Sequence, residues 1–317
     1  DVWYTYAELA KKYKNSYIDL RTSPNPFGSA AFKDVADFVF DDSADWLGSL
    51  FGNTLSTEQS LSISGGGERH SYRISLNYLY DGSTLQYGNN NNQRYNFRMN
   101  NSFTLTDALT LESSIAYSRQ EQVAPTMISS VLTTSMPMPG LPLTAMNGKP
   151  YAWGTWGSPV GKVSEGGDNK LSVSSINISE TLRYKINDWL TANANVGYSQ
   201  NIADRNKVEN SITFYNYTGD VQTLVSPVQE NSYYEQTNAR TDFYSFSGFL
   251  NAVKTFGGKH NFSATLGAQY EFKEYTYFGV KMKDIQNGME IVNGSGETTV
   301  IRPGTVSYTH LRAHETL

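Results

Sequence analysis

The sequence predicts an all-β fold. It reads as an antiparallel transmembrane β-barrel meander, with about eight strands visible, long extracellular loops and short periplasmic turns. Three observations predict it. Apolar and polar residues alternate with a period of two over unusually long runs. Tight turns and long polar connections join those runs by turns. The composition also favours strands: of 317 residues, 38% are hydrophobic and 17% charged, both low for a soluble domain. Ser, Thr, Asn, Gln, Tyr and Gly take their place, which leaves the chain poor in the strong helix formers and rich in strand and turn formers.

The runs follow in order. Residues 55–64 open the series with Leu55, Leu61 and Ile63. In 70–80, His70, Tyr72, Ile74, Leu76, Tyr78 and Tyr80 alternate with Ser71, Arg73, Ser75, Asn77 and Leu79. Next, Tyr95, Phe97, Met99, Phe103 and Leu105 oppose Arg94, Asn96, Arg98, Asn100, Ser102 and Thr104. Leu109, Leu111, Ile115 and Tyr117 then oppose Thr110, Glu112, Ser114 and Ser118. Further on, Ile176, Ile178, Leu182, Tyr184 and Ile186 face away from Ser175, Asn177, Ser179, Thr181, Arg183 and Lys185. Leu190, Ala192, Ala194, Val196 and Tyr198 oppose Thr191, Asn193, Asn195 and Ser199. A less regular run spans 241–256, and Phe262, Ala264, Leu266, Ala268, Tyr270 and Phe272 complete the set.

A period of two puts one dry and one wet face on each strand. The runs reach the ~9–11 residues that cross a bilayer at a steep tilt, whereas globular strands average about five or six. Length therefore separates a membrane barrel from a β-sandwich better than alternation does. The tight connections are Gly65-Gly66-Gly67, Thr106-Asp107-Ala108, Asn187-Asp188 and Gly257-Gly258-Lys259, all suited to hairpins. The long ones cover 82–92, 121–170, 201–240 and the residues from 276 onward. Asp107, Leu109, Thr110, Tyr117 and Ser118 recur in register as Asp188, Leu190, Thr191, Tyr198 and Ser199, one hairpin solution used twice.

Several classes are disfavoured at once. A net charge of −5 and a pI near 5.5 supply no field for nucleic acid. The absence of cysteine removes disulfides and thiolate chemistry. No run approaches the ~18 apolar residues of a spanning helix. Gly65–Gly67 joins two strands, not a strand and a helix, so it is a turn and no phosphate loop. No G-x-S-x-G elbow or paired-carboxylate arrangement stands out, and an enzyme is not expected. His310 and His314 have the i, i+4 spacing of a helical metal pair but lack a third ligand. Asp41, Asp42 and Asp45 read as a solvated acidic loop. No metal and no cofactor is expected.

The segment Asp45-Trp46-Leu47, then Leu50-Phe51, then Leu61-Ser62-Ile63-Ser64-Gly65-Gly66 resembles the early barrel of SusC/RagA-type TonB-linked outer-membrane proteins. Tyr72-Arg73-Ile74-Ser75-Leu76-Asn77-Tyr78, Arg94-Tyr95-Asn96-Phe97-Arg98-Met99-Asn100 and the Asp-x-Leu-Thr turn continue the likeness. It is strong over 40–120 and extends through 170–275 by barrel pattern and the Thr255-Phe256-Gly257 hairpin. The resemblance implies a TonB-dependent transporter in the cell outer membrane of Bacteroidetes. Its partners would be a SusD-type surface lipoprotein, the TonB complex through an N-terminal region outside this chain, and outer-membrane lipid. Its cargo would be oligosaccharides or, in some cases, peptides. Residues 1–54 then form a plug-to-barrel or first extracellular-loop region, and 55–305 part of the barrel. Residues 306–317 resemble translated adapter read-through and read as a non-native tail. The chain is expected to be an internal piece of a longer protein.

On that reading Arg73, Arg94, Arg98, Glu112 and Arg183 face the lumen. The candidate substrate contacts are loop aromatics, since sugar rings stack on aromatic faces: Tyr151, Trp153 and Trp156 in one long loop, Tyr215 and Tyr217 in another, with Tyr233 and Tyr234 beyond them. Met127, Met136, Met138 and Met146 with Pro137, Pro139 and Pro142 suggest a loop packed against a neighbour. Two alternatives remain open from the residues. One is a soluble or surface β-rich carbohydrate-binding module, and the other is a passive porin.

Overall fold

The computed structural model describes residues 16–18, 38–40, 45–134, 142–153, 156–222, 232–286 and 298–316. Its main feature is one antiparallel meander of nine strands paired in chain order. These are β1 (Ser56–Gly66), β2 (His70–Gly82), β3 (Asn91–Thr106), β4 (Leu109–Pro125), β5 (Asp168–Asn187), β6 (Leu190–Glu209), β7 (Tyr233–Phe256), β8 (His260–Lys283) and β9 (Thr298–Thr316). Three short helices lie among the connections: α1 (Trp46–Leu50), α2 (Ile128–Thr134) and α3 (Pro159–Glu165). No described helix is long and apolar enough to cross a membrane.

All four short connections form, at or next to the residues expected to make them. Gly257 and Gly258 have φ of 59° and 69°, the left-handed pair that matches a two-residue turn to the twist of its strands. Gly65 and Gly66 lie inside β1 rather than in its turn, which is closed by Gly67 N–H donating to the His70 carbonyl at 2.7 Å. The long connections are shorter than the sequence predicts. The connections run from Gly82 to Asn91, from Pro125 to Asp168 and from Glu209 to Tyr233, because β4, β6 and β8 continue well past their last alternating apolar residue and β7 begins before its first. Loss of alternation ends a two-faced strand, not a strand: beyond a membrane both faces are wet, and the backbone ladder continues without an apolar side. Residues 306–316, which the sequence sets apart as a tail, pair by their backbone with β8 as the end of β9. An uncovered strand edge accepts any adjacent segment as a partner.

The register shows how the two faces are built. A single row crosses eight strands as Ile63, Ile74, Met99, Ile115, Ile178, Tyr198, Tyr244 and Phe272. Between such rows lie polar ones, among them Arg73, Asn100, Ser114, Ser179, Gly197 and Ser245. The apolar face is not covered by any other described residues: Leu61 is 59% exposed and Leu266 57%. The apolar band also steps diagonally. Its aromatic border towards the long loops lies at Tyr80 on β2, Tyr95 on β3, Tyr117 on β4, Tyr198 on β6 and Tyr244 on β7. The row through Tyr80 meets β8 at Phe278, beyond Phe272. That is a slide of about six residues, or ~20 Å, across six strand spacings of ~4.8 Å, a slope of about 35°. Closed barrels tilt their strands by ~35–45°, so a band held level in a bilayer would cross the strands at this angle.

One row interrupts the apolar face. Asn101, Ser113 and Glu180 are register partners on β3, β4 and β5, and the Ser113 hydroxyl donates to Glu180 Oε1 at 2.6 Å. The three breaks in alternation at these positions therefore form one polar patch at mid-band.

Candidate functional site

Two regions carry chemistry: the polar face of the sheet, and the cap that the long connections build above it. On the polar face, alternation delivers Arg73 from β2, Arg94 and Arg98 from β3, Glu112 from β4 and Arg183 from β5 to one side. Their neighbours form short amide ladders. Asn77 Nδ2 donates to Glu58 Oε1 at 2.8 Å and to Ser60 Oγ at 2.9 Å, while Asn96 Nδ2 donates to Asn77 Oδ1 at 3.0 Å. Asn195 Nδ2 reaches Ser179 Oγ and Thr181 Oγ1 at 3.0 and 2.7 Å. Arg183 and Glu112 approach each other at 3.6 Å. An open concavity of about 610 Å³ lies on this face over β2, β3 and β4. Side-chain amides and guanidinium groups offer many hydrogen bonds in fixed directions.

The cap is packed like a small soluble core. Leu50 of α1, Leu85, Val131 of α2, and Val160 and Val163 of α3 form one buried cluster, with Trp46, Phe51, Tyr87, Ile128 and Leu143 against it. Met127, Ala152, Ile212 and Phe214 form a second. Asp45, read from the sequence as part of a solvated acidic loop, instead caps α1 by accepting from the Gly48 N–H at 2.8 Å, which satisfies a donor the helix leaves free. Asp41, Asp42, Met136, Met138, Pro137 and Pro139 lie outside the described residues. Hydrogen bonds tie the cap to the strands: Thr126 N–H to the Gly167 carbonyl at 2.8 Å, Asn210 N–H to the Gly166 carbonyl at 3.1 Å, and Asn89 Nδ2 to Asp168 Oδ2 at 2.7 Å. Burial lowers the pKa of Lys162 within α3, because the charged form loses water.

The structure brings the five predicted loop aromatics into one neighbourhood. Tyr151 bridges to Tyr215, and its ring meets Tyr217 edge-on at 6.2 Å. Tyr215 N–H donates to the Pro150 carbonyl at 2.9 Å. Trp153 and Trp156 are register partners in the hairpin that follows directly. One expectation needs correction. Tyr151 is fully buried, at 0% exposure, so its ring supports the cluster and presents no surface to a ligand. Tyr215 and Tyr217 are half-buried, whereas Tyr234 is buried in a separate cluster with Val208, Met282 and Ile285. Sequence reasoning missed Phe214, Ile212 and Val163, the residues that hold these loops in place. Their pairs, Val160-Val163 and Ile212-Phe214, are too short to show a period.

His70 stacks on Phe103 at 4.3 Å, a packing role at the turn end. Among the described residues no group of three or more His, Asp or Glu side chains is placed to hold a metal ion.

No family model matches the chain, and no curated protein matches it. Solved structures do. The RagAB peptide transporter superposes with a TM-score of 0.65 at 18% identity, over 90% of this chain and 32% of that one. The RagAB peptide importer gives 0.67 in its "closed-closed" state and 0.68 in its "open-open" state, at the same identity and coverage. This chain therefore spans about a third of the length of the chains it matches. Its fold is similar to that third of the RagAB transporter chain, so the SusC/RagA resemblance carried by short motifs holds at the level of fold.

Proposed function

We propose that the chain is a section of the barrel of a TonB-dependent transporter in the bacterial outer membrane. The whole protein would import oligosaccharides or peptides together with a SusD-type surface lipoprotein. The observation that carries the reading is the apolar band. It crosses eight strands in register, lies open to the surroundings and slopes as a level lipid belt would on tilted strands. A soluble sugar-binding module would bury those rows against a second layer, and none of the described residues does so. The likeness to the RagAB peptide transporter supports the same reading, and makes peptides as natural a cargo as sugars.

In this mechanism the polar face of Arg73, Arg94, Arg98, Glu112 and Arg183 lines the lumen and gives a passing polar solute successive hydrogen-bond partners. The cap would hold Tyr215 and Tyr217 at the outer mouth for stacking, beside the buried Tyr151, with the Trp153–Trp156 hairpin following in the same loop. Energy from the TonB complex would act through a region outside this chain. The test is cysteine accessibility in cells expressing the full-length protein. Ser75→Cys and Ser114→Cys should exchange with solvent in the lumen, and Leu76→Cys and Ile115→Cys should resist a charged maleimide until detergent is added. Equal labelling of both sets in intact membranes would refute the barrel reading. Trp153→Ala should slow uptake; unchanged uptake removes that residue from the mouth.

A further inference from the structure

The described arginines divide by face. On the apolar side, Arg119 and Arg240 lie beyond the aromatic border, and each has a counter-ion two residues along its own strand. Arg119 meets Glu121 at 2.7 Å and Arg240 meets Asp242 at 2.6 Å. At the turns, Arg69 faces Asp107 at 3.5 Å. On the polar side, only Arg183 is paired, with Glu112. Neither Arg73 nor Arg98 makes an ion pair among the described residues: Glu58 on the same face is held by Asn77, and Glu112, which lines a neighbouring hollow together with Arg73, is paired with Arg183. These two guanidinium groups come from adjacent strands one register step apart, Arg73 opposite Asn100 and Arg98 opposite Ser75. Together with Asn77, Asn96, Asn100 and Asn177 they line the 610 Å³ concavity, whose lining contains no carboxylate. Arg94 continues the row four residues along β3.

We propose that Arg73 and Arg98 form a carboxylate-binding site on the inner wall. The proposal rests on the lumen reading of this face. A guanidinium presents its donors as a flat fork that fits a carboxylate bidentately, and two forks on neighbouring strands can clamp one anionic group from both sides. The surrounding carboxamides then bond the neutral remainder of the ligand, hydroxyl or peptide, without adding charge. Both side chains are exposed on this face, and two like charges set on neighbouring strands repel each other, so an anion placed between them is favoured. The carboxylate has two possible sources: a solute in transit, or an acidic side chain from another part of the same protein that enters the lumen.

The experiment uses the full-length protein, purified in detergent, with Arg73→Gln, Arg98→Gln and the double variant. Binding of trigalacturonate and of its methyl ester is measured by calorimetry, and channel conductance is recorded in planar bilayers. If a solute supplies the carboxylate, the wild type binds trigalacturonate in preference to the ester. Each substitution then weakens that binding about tenfold, and Arg→Lys restores part of it. If the protein supplies its own carboxylate, neither probe binds, but the double variant shows a raised basal conductance as the lumen loosens. Either result supports the site. Unchanged probe binding together with unchanged conductance overturns it, and solvent labelling of Ser75→Cys in that same protein tells this failure from failure of the lumen reading.

Discussion

The sheet and the cap are stabilised in opposite ways. The cap encloses its own core: Leu50, Val163 and Phe214 are all but fully buried, and α1, α2 and α3 exist to enclose such residues. The sheet, over most of its length, encloses nothing. Its Ile, Leu and Phe rows stand open on one side and its Arg, Asn and Ser rows on the other, and within the sheet only the strand-to-strand ladder is complete. The contrast teaches that the cap is folded by water, whereas the sheet needs two different surroundings, an apolar one outside and a polar one inside.

Five substitutions test the contrast, beginning with the largest effect. Phe214→Ala should remove about 3–5 kcal/mol of local stability from the cap, the usual cost of emptying a buried aromatic site. Amide exchange across 142–152 should accelerate while the strand amides of β5 and β6 stay protected; equal acceleration in both would merge the two regions into one cooperative unit. Next, Ile115→Arg should cost roughly 2–4 kcal/mol in lipid vesicles, as for a charge at mid-bilayer on a barrel exterior. Ser114→Arg, on the opposite face, should cost little. Urea unfolding measures both, and similar losses would mean that the two faces meet the same medium.

Third, Glu180→Leu should raise stability in vesicles by about 1–2 kcal/mol, since a carboxylate on the lipid side is costly and its Ser113 hydrogen bond only partly offsets that. A loss of stability would show that the Asn101–Ser113–Glu180 row meets a polar partner. The smallest effect belongs to the exposed turn between β5 and β6. Lys185 lies 2.9 Å from Asp188, and its hydrogen bond and charge hold that carboxyl below the ordinary carboxylate range. With the folded pKa depressed, the contribution is complete above the unfolded value and disappears as pH falls through the folded one. Asp188→Asn should flatten the acid dependence of turn protection seen by NMR exchange; an unaltered profile would assign that dependence elsewhere.

What could be read without coordinates was whatever a period of two records. Which residues share a face, where the four tight turns fall and how the meander runs all follow from Tyr72-Ile74-Leu76 and its counterparts. Each strand pairs with its neighbour in sequence, so local pattern and tertiary pairing coincide. Nothing in the two loop sequences showed that the backbone at Tyr151 meets Tyr215, nor that Tyr151 is interior while Tyr215 and Tyr217 are half-buried. Alternation was silent beyond the apolar band, so the full lengths of β4, β6, β7 and β8 could not be read. Only the tertiary structure decided the rest. Register across strands aligned Asn101, Ser113 and Glu180, set Arg73 beside Arg98, and brought Leu50, Leu85 and Val163 together from three separate segments. One strand's periodicity states which way a side chain faces, but its neighbours across the sheet are set by hydrogen-bond register, which no single strand contains.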